Sequence, residues 1–179
     1  MNNIVKTSKF LSFILRHSPE SIGLTLDTHG WADIDEIIEK SKEIELSRVL
    51  IDEVVARNDK QRYIIEGSKI RANQGHSIKV DLEFKAVMPP EILFHGTAIR
   101  FLESIMKTGL SKQKRQHVHL SKNIETATAV GKRHGTVVIL EVNSKRMFEE
   151  GYKFYLSENG VWLTDIVPRV YLKEQKCYE

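Results

Sequence analysis

Arginine, histidine and serine alternate with other residues in one short segment, RQHVHLS at residues 115–121. If the segment is extended, Arg115, His117, His119 and Ser121 share one face. The apolar Val118 and Leu120 then point to the opposite face. A planar guanidinium binds phosphate through two parallel hydrogen bonds, and imidazole and hydroxyl groups add further donors. Two histidines can also bind zinc, but no third ligand follows at a supporting spacing. The pattern therefore favours a phosphate site, and no metal is expected.

Two further segments place cationic side chains where a predicted element ends. Arg16-His17 closes a helix just before Ser18-Pro19, so the pair either faces a neighbouring site or complements the helix dipole. Arg71 lies on an otherwise apolar strand before the polar stretch Asn73-Gln74-Gly75-His76-Ser77. That stretch is either part of a binding site or a solvated hairpin end.

The segment His95-Gly96-Thr97 follows an apolar strand. A glycine at such a point lets a ligand or another backbone approach closely, or it simply ends the strand in a turn. The chain has neither a Walker A loop nor a G-x-G-x-x-G element, which argues against P-loop and Rossmann nucleotide sites. No pair of carboxylates suited to glycosidase chemistry is apparent.

The composition is that of a globular protein without a broadly basic surface. The 179 residues are 41% hydrophobic and 28% charged, with a net charge of +3. Residues 1–85 carry 13 Lys+Arg against 14 Asp+Glu, a net −1, and residues 86–179 carry 14 against 10, a net +4. Phosphate chemistry should therefore centre on particular arginines and on the second half of the chain.

Two features bear on the compartment. Cys177 is the single cysteine, so no intrachain disulfide or cysteine-based zinc site can form, and a non-catalytic thiol is expected. The N-terminal segment MNNIVKTSKFLSFILRH favours an amphipathic helix over a signal peptide, and no stretch approaches the ~20 apolar residues that span a bilayer. A soluble cytoplasmic protein is expected.

Consecutive prolines in Val87-Met88-Pro89-Pro90 disfavour both helix and central strand, and so predict two domains, residues 1–86 and 91–179. The elements predicted for the first are, in order, a helix with its apolar face from Ile4 to Leu15, a short strand at Leu24–Leu26, a helix with Asp33 as N-cap and Glu36 three residues later, a helix opened by Ser47, and a hairpin of Arg62–Glu66 and Lys69–Ala72 around Gly67-Ser68. Helices followed by a hairpin predict a winged-helix fold.

The second domain alternates strands and helices. The predicted elements are a strand at Ile92–His95, a helix at Ile99–Lys107 closed by Gly109 as an αL C-cap, a strand at Val118–Leu120, a helix at Ile124–Lys132, a strand at Thr136–Val142, a hairpin of Phe154–Leu156 and Val161–Leu163 around Glu158-Asn159-Gly160, and a last strand at Val167–Leu172. The fold class predicted for the chain is α+β.

Seven motifs in order resemble the RNA 2′-phosphotransferase family across nearly the whole chain: LRHSPE, LDTHGW, IRANQGHS, LFHGT, RQHVHLS, TAVGKRHG and NGVWLTD. The resemblance implies an N-terminal winged-helix lobe that binds the RNA phosphate (1–86) and a C-terminal ADP-ribosyltransferase-like lobe that binds NAD (91–179). It also implies an NAD-dependent enzyme that removes an internal 2′-phosphate from RNA, as in the last step of tRNA splicing. NAD would be consumed as a co-substrate, with no metal and no obligate protein partner.

The resemblance assigns roles to individual residues. The 2′-phosphate would sit between the lobes and attack the nicotinamide ribose, and the ribose 2″-OH would then attack the phosphate, giving ADP-ribose 1″,2″-cyclic phosphate. The residues implied to hold the phosphate are Arg16, His17, Arg71 and Arg115. Those implied to bind NAD are His95, Gly96 and Thr97 at the nicotinamide-riboside end, His119 and Ser121 along the cleft, and Ala129, Val130, Gly131 and Arg133 near the adenosine and pyrophosphate.

The resemblance also implies that Val161 stands at the position where many protein-modifying ADP-ribosyltransferases carry a glutamate that hydrogen-bonds the ribose 2″-OH. By resemblance, an apolar residue there leaves that hydroxyl free for the second step. Glu158 lies close in sequence and is expected to be solvated.

Two other functions stay open. A winged-helix DNA-binding regulator is disfavoured because residues 1–85 have a net charge of −1 and because Asp52 and Glu53 lie in the candidate recognition helix. An ADP-ribosyltransferase acting on protein or on nucleic-acid ends would share the NAD site, but it would not need Arg16, His17 or Arg71.

Overall fold

The computed structural model describes residues 3–175 and divides the chain into two compact units, residues 1–83 and 84–179. Both units combine helices with small antiparallel sheets, so the predicted α+β class is confirmed. Cys177 lies outside the described residues. Within residues 3–175, no helix has the length and apolar character needed to cross a membrane.

Within residues 3–83, the first unit contains three α-helices and three strands: α1 (Asn3–Arg16), β1 (Ala32–Asp33), α2 (Ile34–Lys40), α3 (Arg48–Ala56), β2 (Tyr63–Glu66) and β3 (Lys69–Ala72). The strands form one antiparallel sheet in the order β1-β3-β2. The predicted hairpin is therefore confirmed, and a short strand between the helices extends it. A buried apolar core joins the helices to this sheet through residues that include Leu11, Ile34, Ile51 and Ile70.

The apolar stripe of α1 explains both its position and its end. Its fully buried residues recur on one face, at Thr7, Leu11, Ile14 and Leu15. The helix ends at Arg16 because Pro19 opens a separate 3-10 turn, Pro19–Ile22, and cannot continue an α-helix. Arg16 and His17 thus stand where the buried stripe stops.

Side-chain caps start the next two helices as predicted. The Asp33 carboxylate accepts hydrogen bonds from the backbone N–H groups of Asp35 (2.9 Å) and Glu36 (3.2 Å) at the start of α2. The Ser47 hydroxyl accepts one from Leu50 N (3.2 Å) at the start of α3. Local chemistry therefore sets both helix starts.

The predicted strand at Leu24–Leu26 is wrong. Leu24 is buried and Leu26 is half-buried between exposed neighbours, so the alternation of burial is real. However, the local backbone hydrogen bonds close turns, from Leu24 N to Pro19 O and from Asp27 N to Trp31 O, and form no ladder. Alternating burial alone does not make a strand when no partner strand is in reach.

Among residues 84–175, the second unit contains three α-helices and eight strands: β4 (Leu93–Ala98), α4 (Ile99–Thr108), β5 (Leu110–Ser111), β6 (Val118–Leu120), α5 (Ile124–Gly131), β7 (Val137–Val142), α6 (Ser144–Glu149), β8 (Phe154–Leu156), β9 (Trp162–Thr164), β10 (Ile166–Val167) and β11 (Leu172–Gln175). The strands form three antiparallel sheets in the orders β11-β7-β4, β6-β9-β8 and β10-β5. The β8–β9 hairpin and the strand β6 agree with the predictions.

Two predictions are wrong at a proline and at a glycine. The expected last strand, Val167–Leu172, is split because Pro168 and the 3-10 turn Arg169–Tyr171 separate β10 from β11, which join different sheets. Gly109 closes α4 with a φ of 84°, but its ψ of −173° is extended and not that of an αL cap. Gly109 packs against the backbone of the segment after β10, where an added Cβ would lie 2.3 Å from Val167 O.

Gly96 and Gly131 let helix α5 lie directly on strand β4. A Cβ at Gly96 would lie 1.7 Å from Ala127 O, and one at Gly131 would lie 2.5 Å from a Val137 methyl and 3.1 Å from Thr97 N. Gly96 was expected either to let a ligand or another backbone approach closely or to end the strand in a turn. In the structure, the backbone of α5 approaches it closely. This packing fixes the position of α5 relative to the strand that carries His95.

Candidate functional site

The first unit brings three predicted phosphate-binding side chains into one cluster. Arg16 and His17 stand at the end of α1, and Arg71 lies on β3. The charges of all three lower the pKa of a single buried imidazole, that of His76. We call Arg16, His17, Arg71 and His76 the first-unit cluster.

Aromatic faces and a peptide carbonyl orient the arginines of this cluster. The Arg71 guanidinium lies 4.6 Å from the ring centroid of Trp31, and that of Arg16 lies 5.9 Å from the ring centroid of Tyr63. Arg16 Nη2 also donates to Arg62 O at 3.3 Å. The buried Nε of Arg71 has no hydrogen-bond partner within residues 3–175, so this donor is suited to an anion that enters the cluster.

The segment after β3 is tied to the end of α1. Ser77 N donates to Arg16 O at 2.9 Å, and Ser77 Oγ lies 2.9 Å from His17 Nδ1. Asn73 is 5% exposed and donates through Nδ2 to Gln61 O at 2.6 Å. The alternative of a solvated hairpin end is therefore wrong at Asn73 and His76, although Ser77 is exposed.

His76 is the residue of this cluster that sequence reasoning missed. Its side chain is 1% exposed, and neither ring nitrogen has a hydrogen-bond partner within the described residues. Burial, and then the charges of Arg16, His17 and Arg71, lower its pKa to about 3, so the ring is neutral at pH 7. Leaving a buried polar group unpaired costs about 1–3 kcal/mol, and such groups call for an explanation in function or bound solvent.

In the second unit, Arg115, His119 and His95 form a chain of contacts. Arg115 Nη1 lies 2.7 Å from His119 Nδ1, and His95 Nδ1 lies 3.1 Å from His119 O. The strand β6 is shorter than the predicted extended segment, and Arg115 stands in the turn before it, where its N–H bonds Lys112 O. We call Arg115, His119, His95 and the nearby Arg133 the second-unit cluster.

The acceptors in this cluster fix the tautomers of its histidines. A carbonyl oxygen can only accept, so His95 Nδ1 carries a proton and donates to His119 O. An arginine can only donate, so His119 Nδ1 is the unprotonated acceptor of the Arg115 guanidinium. Burial lowers the pKa of His95, as do the charges of Arg115 and His134, so the neutral ring offers Nε2 as an acceptor.

The exposed turn after α5 adds positive charge to the same region. Partial desolvation and then the charge of Arg133 lower the pKa of Arg115, which indicates that the two guanidinium groups lie near each other. No salt bridge joins Arg115 or Arg133 to a carboxylate among the residues described. Two guanidinium groups close together favour an anionic ligand.

The remaining predicted NAD-binding residues lie on neighbouring elements of the second unit. Ser121 pairs with Phe94 through two backbone hydrogen bonds of 2.8 Å, which joins the end of β6 to β4. Thr97 is buried on β4, 6% exposed. Ala129 is exposed and Val130 half-buried near the end of α5, which closes with the buried Gly131.

His117 packs against two aromatic rings of the second unit. Its ring packs edge-on against those of Phe84 and Tyr155, with centroid distances of 6.3 and 5.6 Å. The prediction that residues 115–121 are extended throughout is wrong, because the strand covers only 118–120 and the residues before it turn. Burial lowers the pKa of His117.

The turn between β8 and β9 carries Val161 and Glu158. Val161 N donates to Ser157 Oγ and Ser157 N donates to Val161 O, both at 3.0 Å, so the half-buried Val161 is held at the base of the turn. Glu158 is exposed, as expected. Among residues 3–175, no group of three or more His, Cys, Asp or Glu side chains is arranged to hold a metal ion.

Comparison with known proteins identifies the family. Residues 2–166 match the model of the RNA 2'-phosphotransferase, Tpt1 / KptA family. The chain is 56% identical to a probable RNA 2'-phosphotransferase of Acaryochloris marina over 171 residues, 93% of this chain and 94% of that protein. It is 56% identical to one of Flavobacterium johnsoniae (96% and 97% covered) and 53% identical to one of Fusobacterium nucleatum (97% and 99% covered). The chain therefore belongs to the RNA 2'-phosphotransferase, Tpt1 / KptA family.

Proposed function

We propose that this enzyme removes an internal 2′-phosphate from RNA by transferring it to NAD, which is consumed. The observation that carries the proposal is the first-unit cluster, where ring-stacked arginines surround a buried neutral imidazole. Planar guanidinium groups held in fixed orientations suit a phosphate dianion. The family supplies the class of reaction.

In this proposal Arg16, His17 and Arg71 bind the 2′-phosphate, and His17 donates a hydrogen bond or a proton to it. His76 contributes a buried neutral ring that adds no positive charge to the cluster. Arg115 is assigned to the same phosphate by resemblance. Its contact with His119 also supports a role in orienting that imidazole.

The charges of the second unit fit the pyrophosphate of NAD. The charge of Arg133 acts on Arg115, and neither side chain forms a salt bridge with a carboxylate among the described residues. We assign His95, Gly96 and Thr97 to the nicotinamide-riboside end, His119 and Ser121 to the same cleft, and Ala129, Val130, Gly131 and Arg133 to the adenosine and pyrophosphate. Gly96 and Gly131 contribute by seating α5 on β4, since a side chain at either would displace the helix.

The reaction proceeds in two displacements. An oxygen of the 2′-phosphate attacks C1″ of the nicotinamide ribose, and the C1″–N bond breaks as nicotinamide leaves with the electron pair. The 2″-OH then attacks phosphorus, the bond to the RNA 2′-oxygen breaks, and that oxygen takes up the proton which the 2″-OH has lost. The products are RNA with a 2′-OH and ADP-ribose 1″,2″-cyclic phosphate. Arginines near the phosphate stabilise the charge that builds up in the second step, and Val161 offers the 2″-OH no competing acceptor.

The finer description of the fold and the cellular role belong to the same proposal. The order helix, strand, helix, helix, strand, strand with the sheet β1-β3-β2 supports a winged-helix first unit. The strand β4, which carries His95-Gly96-Thr97, pairs with β7 and packs closely against α5, supports an ADP-ribosyltransferase-like second unit. A cytoplasmic enzyme that finishes tRNA splicing would fit this chemistry.

The proposal is tested with a short RNA that carries one internal 2′-phosphate, incubated with the full chain with and without NAD. Products are resolved by mass. We expect NAD-dependent loss of the phosphate together with nicotinamide and ADP-ribose cyclic phosphate. Arg71→Ala should slow the reaction by about 10²–10³-fold.

Arg48→Ala is the matched control, because Arg48 is an exposed arginine of the same unit that pairs with Asp52 at 2.9 Å on α3. It should react at the wild-type rate. Stable attachment of ADP-ribose to RNA or protein, with the 2′-phosphate retained, would reject the phosphotransferase in favour of an ADP-ribosyltransferase. No reaction by a folded chain that binds NAD would reject both.

A further inference from the structure

An open groove runs between α1 and α3 of the first unit, with a volume of about 380 Å³. One wall comes from α1, between Ile4 and Ser12, and the other from the segment between Val54 and Arg62. We call this feature the α1–α3 groove. Its volume falls within the range of about 300–1,000 Å³ that is typical of ligand sites.

The groove is locally positive although its unit is not. Its cationic residues are Lys9, Arg57 and Arg62, against the single acid Asp59, whereas residues 1–85 as a whole have a net charge of −1. Arg57 is engaged by Glu53 at 3.1 Å. Neither Lys9 nor Arg62 forms a salt bridge among the described residues. A cationic groove within a nearly neutral unit points to an anionic partner.

The groove also offers polar groups and an apolar floor. Asn58 Nδ2 lies 3.4 Å from Ser8 Oγ, and Asn58 Oδ1 lies 3.4 Å from Arg62 Nη1, so a polar network lines both walls. The buried Val54 and the half-buried Ile4 provide apolar surface beside it. Cations, amides and hydroxyls next to apolar surface match the phosphate, the 2′-OH and the base of a ribonucleotide.

The groove is continuous with the first-unit cluster. Arg62 lines the groove with its side chain, while its carbonyl accepts the hydrogen bond from Arg16 Nη2. On α1, Ser12 lies one turn and Ser8 two turns before Arg16, so the groove extends roughly 12 Å along the helix from the cluster. A strand that presents a phosphate to Arg16 would pass directly into it.

From these observations we infer that the α1–α3 groove binds the single-stranded RNA next to the 2′-phosphorylated nucleotide, with Lys9 and Arg62 on its phosphodiesters. This inference rests on the proposed function and adds to it the part of the substrate that the reaction itself does not use. If the inference is correct, the affinity of the enzyme for RNA depends on the length of the strand, because a short RNA does not reach the groove.

The test compares a 2′-phosphorylated dinucleotide with a longer single-stranded RNA that carries the same 2′-phosphate. With the longer RNA, Lys9→Ala should raise KM by roughly three- to tenfold at low salt and reduce the slope of log KM against log salt by about 0.7, with kcat unchanged. With the dinucleotide it should match the wild type. Arg62→Gln should act in the same direction, and Lys9→Glu should exceed Lys9→Ala.

Lys6→Glu is the matched control for Lys9→Glu, because Lys6 is an exposed lysine of α1 outside the groove. Equal effects of the two charge reversals on the longer RNA would overturn the inference in favour of general electrostatics. Wild-type kinetics of Lys9→Ala and Arg62→Gln on both substrates would also overturn it, as would equal losses on a substrate whose flanks are duplex. Failure of the wild type on the dinucleotide and the longer RNA alike would instead reject the proposed function.

Discussion

The two clusters hold their arginines in different ways. In the first unit, arginines rest on aromatic rings and surround His76, which is 1% exposed. In the second unit, Arg115 stands in an exposed turn and contacts His119 through one hydrogen bond. The first-unit cluster is oriented by packing, since Trp31 and Tyr63 hold the guanidinium planes. The second-unit cluster is oriented by the tautomers of His95 and His119. The hydrogen-bond donors of the first-unit cluster are fixed by packing and suit a phosphate of one geometry. Those of the second-unit cluster are linked through imidazoles and can rearrange as a larger ligand binds.

The second unit also depends on a close backbone contact at a glycine. Its α5 rests on β4 at Gly96, where the added Cβ would overlap Ala127 O. In the first unit, Gly23 and Gly67 have open space around the Cβ position. The comparison therefore predicts that a methyl group at Gly96 disturbs its unit far more than steric crowding from one at Gly23 or Gly67 disturbs the first.

The largest effect is expected for Gly96→Ala. Strand and helix must separate to admit the methyl group, at a cost of about 3 kcal/mol in the free energy of unfolding, the upper end of the usual range for over-packing. Thermal and denaturant unfolding should show the second unit destabilised and NAD binding lost. Gly160→Ala is the control, because Gly160 has a φ of 75° with nothing within 4 Å of the added Cβ, and it should cost only roughly 1–2 kcal/mol. Equal losses in the two variants would show that the contact of α5 with β4 is not tight.

The next effect concerns the stacked arginine. Arg71→Lys keeps the charge but loses both the fork and the planar contact with Trp31, so kcat should fall by about 10²-fold. Trp31→Leu keeps the guanidinium but removes the surface that orients it, and it should produce a smaller loss in the same direction. Steady-state kinetics on a 2′-phosphorylated RNA measures both. Full activity of the Arg71→Lys variant would mean that charge alone matters and that packing does not set the geometry.

The third prediction tests whether Arg115, in the second-unit cluster, acts on the 2′-phosphate or on NAD. If it acts on the 2′-phosphate, Arg115→Ala lowers kcat by about 10²-fold and leaves the affinity for NAD unchanged. Binding of NAD in the absence of RNA, measured by calorimetry, separates this role from one in the NAD site. Weaker NAD binding in the variant would assign Arg115 to the NAD site. Lys114→Ala, at the exposed neighbouring residue, controls for the loss of charge.

The smallest effect is a change in the pH dependence of stability. The pKa of His76 is lowered from 6.5 to about 3 by burial and by its cationic neighbours, so the unfolded chain takes up a proton at higher pH than the folded chain does. The free energy of unfolding should therefore fall as pH drops below 6.5, by at most about 1.4 kcal/mol per pH unit from this group. His76→Gln should remove that part of the slope in denaturant titrations between about pH 6.5 and pH 5.

His29→Gln is the contrasting control for that experiment. A hydrogen bond to Asp81 O raises the pKa of the His29 ring, so this residue stabilises the fold at low pH and opposes the trend set by His76. That stabilisation develops as the pH falls towards 6.5 and is complete below it, so His29→Gln should remove a rise in stability above about pH 6.5 and leave the slope between pH 6.5 and pH 5, which His76→Gln flattens, nearly unchanged. An unchanged slope between about pH 6.5 and pH 5 in the His76→Gln variant, or the same flattening there in His29→Gln, would contradict the buried, uncharged state of His76.

Much of the fold could be predicted because local rules govern it. The buried face of α1, the caps Asp33 and Ser47, and the hairpin β2–β3 follow from side-chain spacing and from hydrogen bonds between near neighbours. Helix α6 was missed, although Asn143 caps it by accepting from Arg146 N at 3.2 Å. The short strand β5 was also missed, because it pairs with β10, a segment far away in the chain.

The sequence by itself determined the family motifs, the α+β class, and the element on which each of Arg16, Arg71 and His95 lies. Only the tertiary structure decided that His76 is buried beneath cations, that His117 joins Phe84 and Tyr155, and that Gly96 serves the contact of a helix with a strand. Spacing along the chain fixes which face of an element a residue occupies. Burial, protonation and close backbone contact depend on atoms from distant segments, and these come together only when the chain has folded.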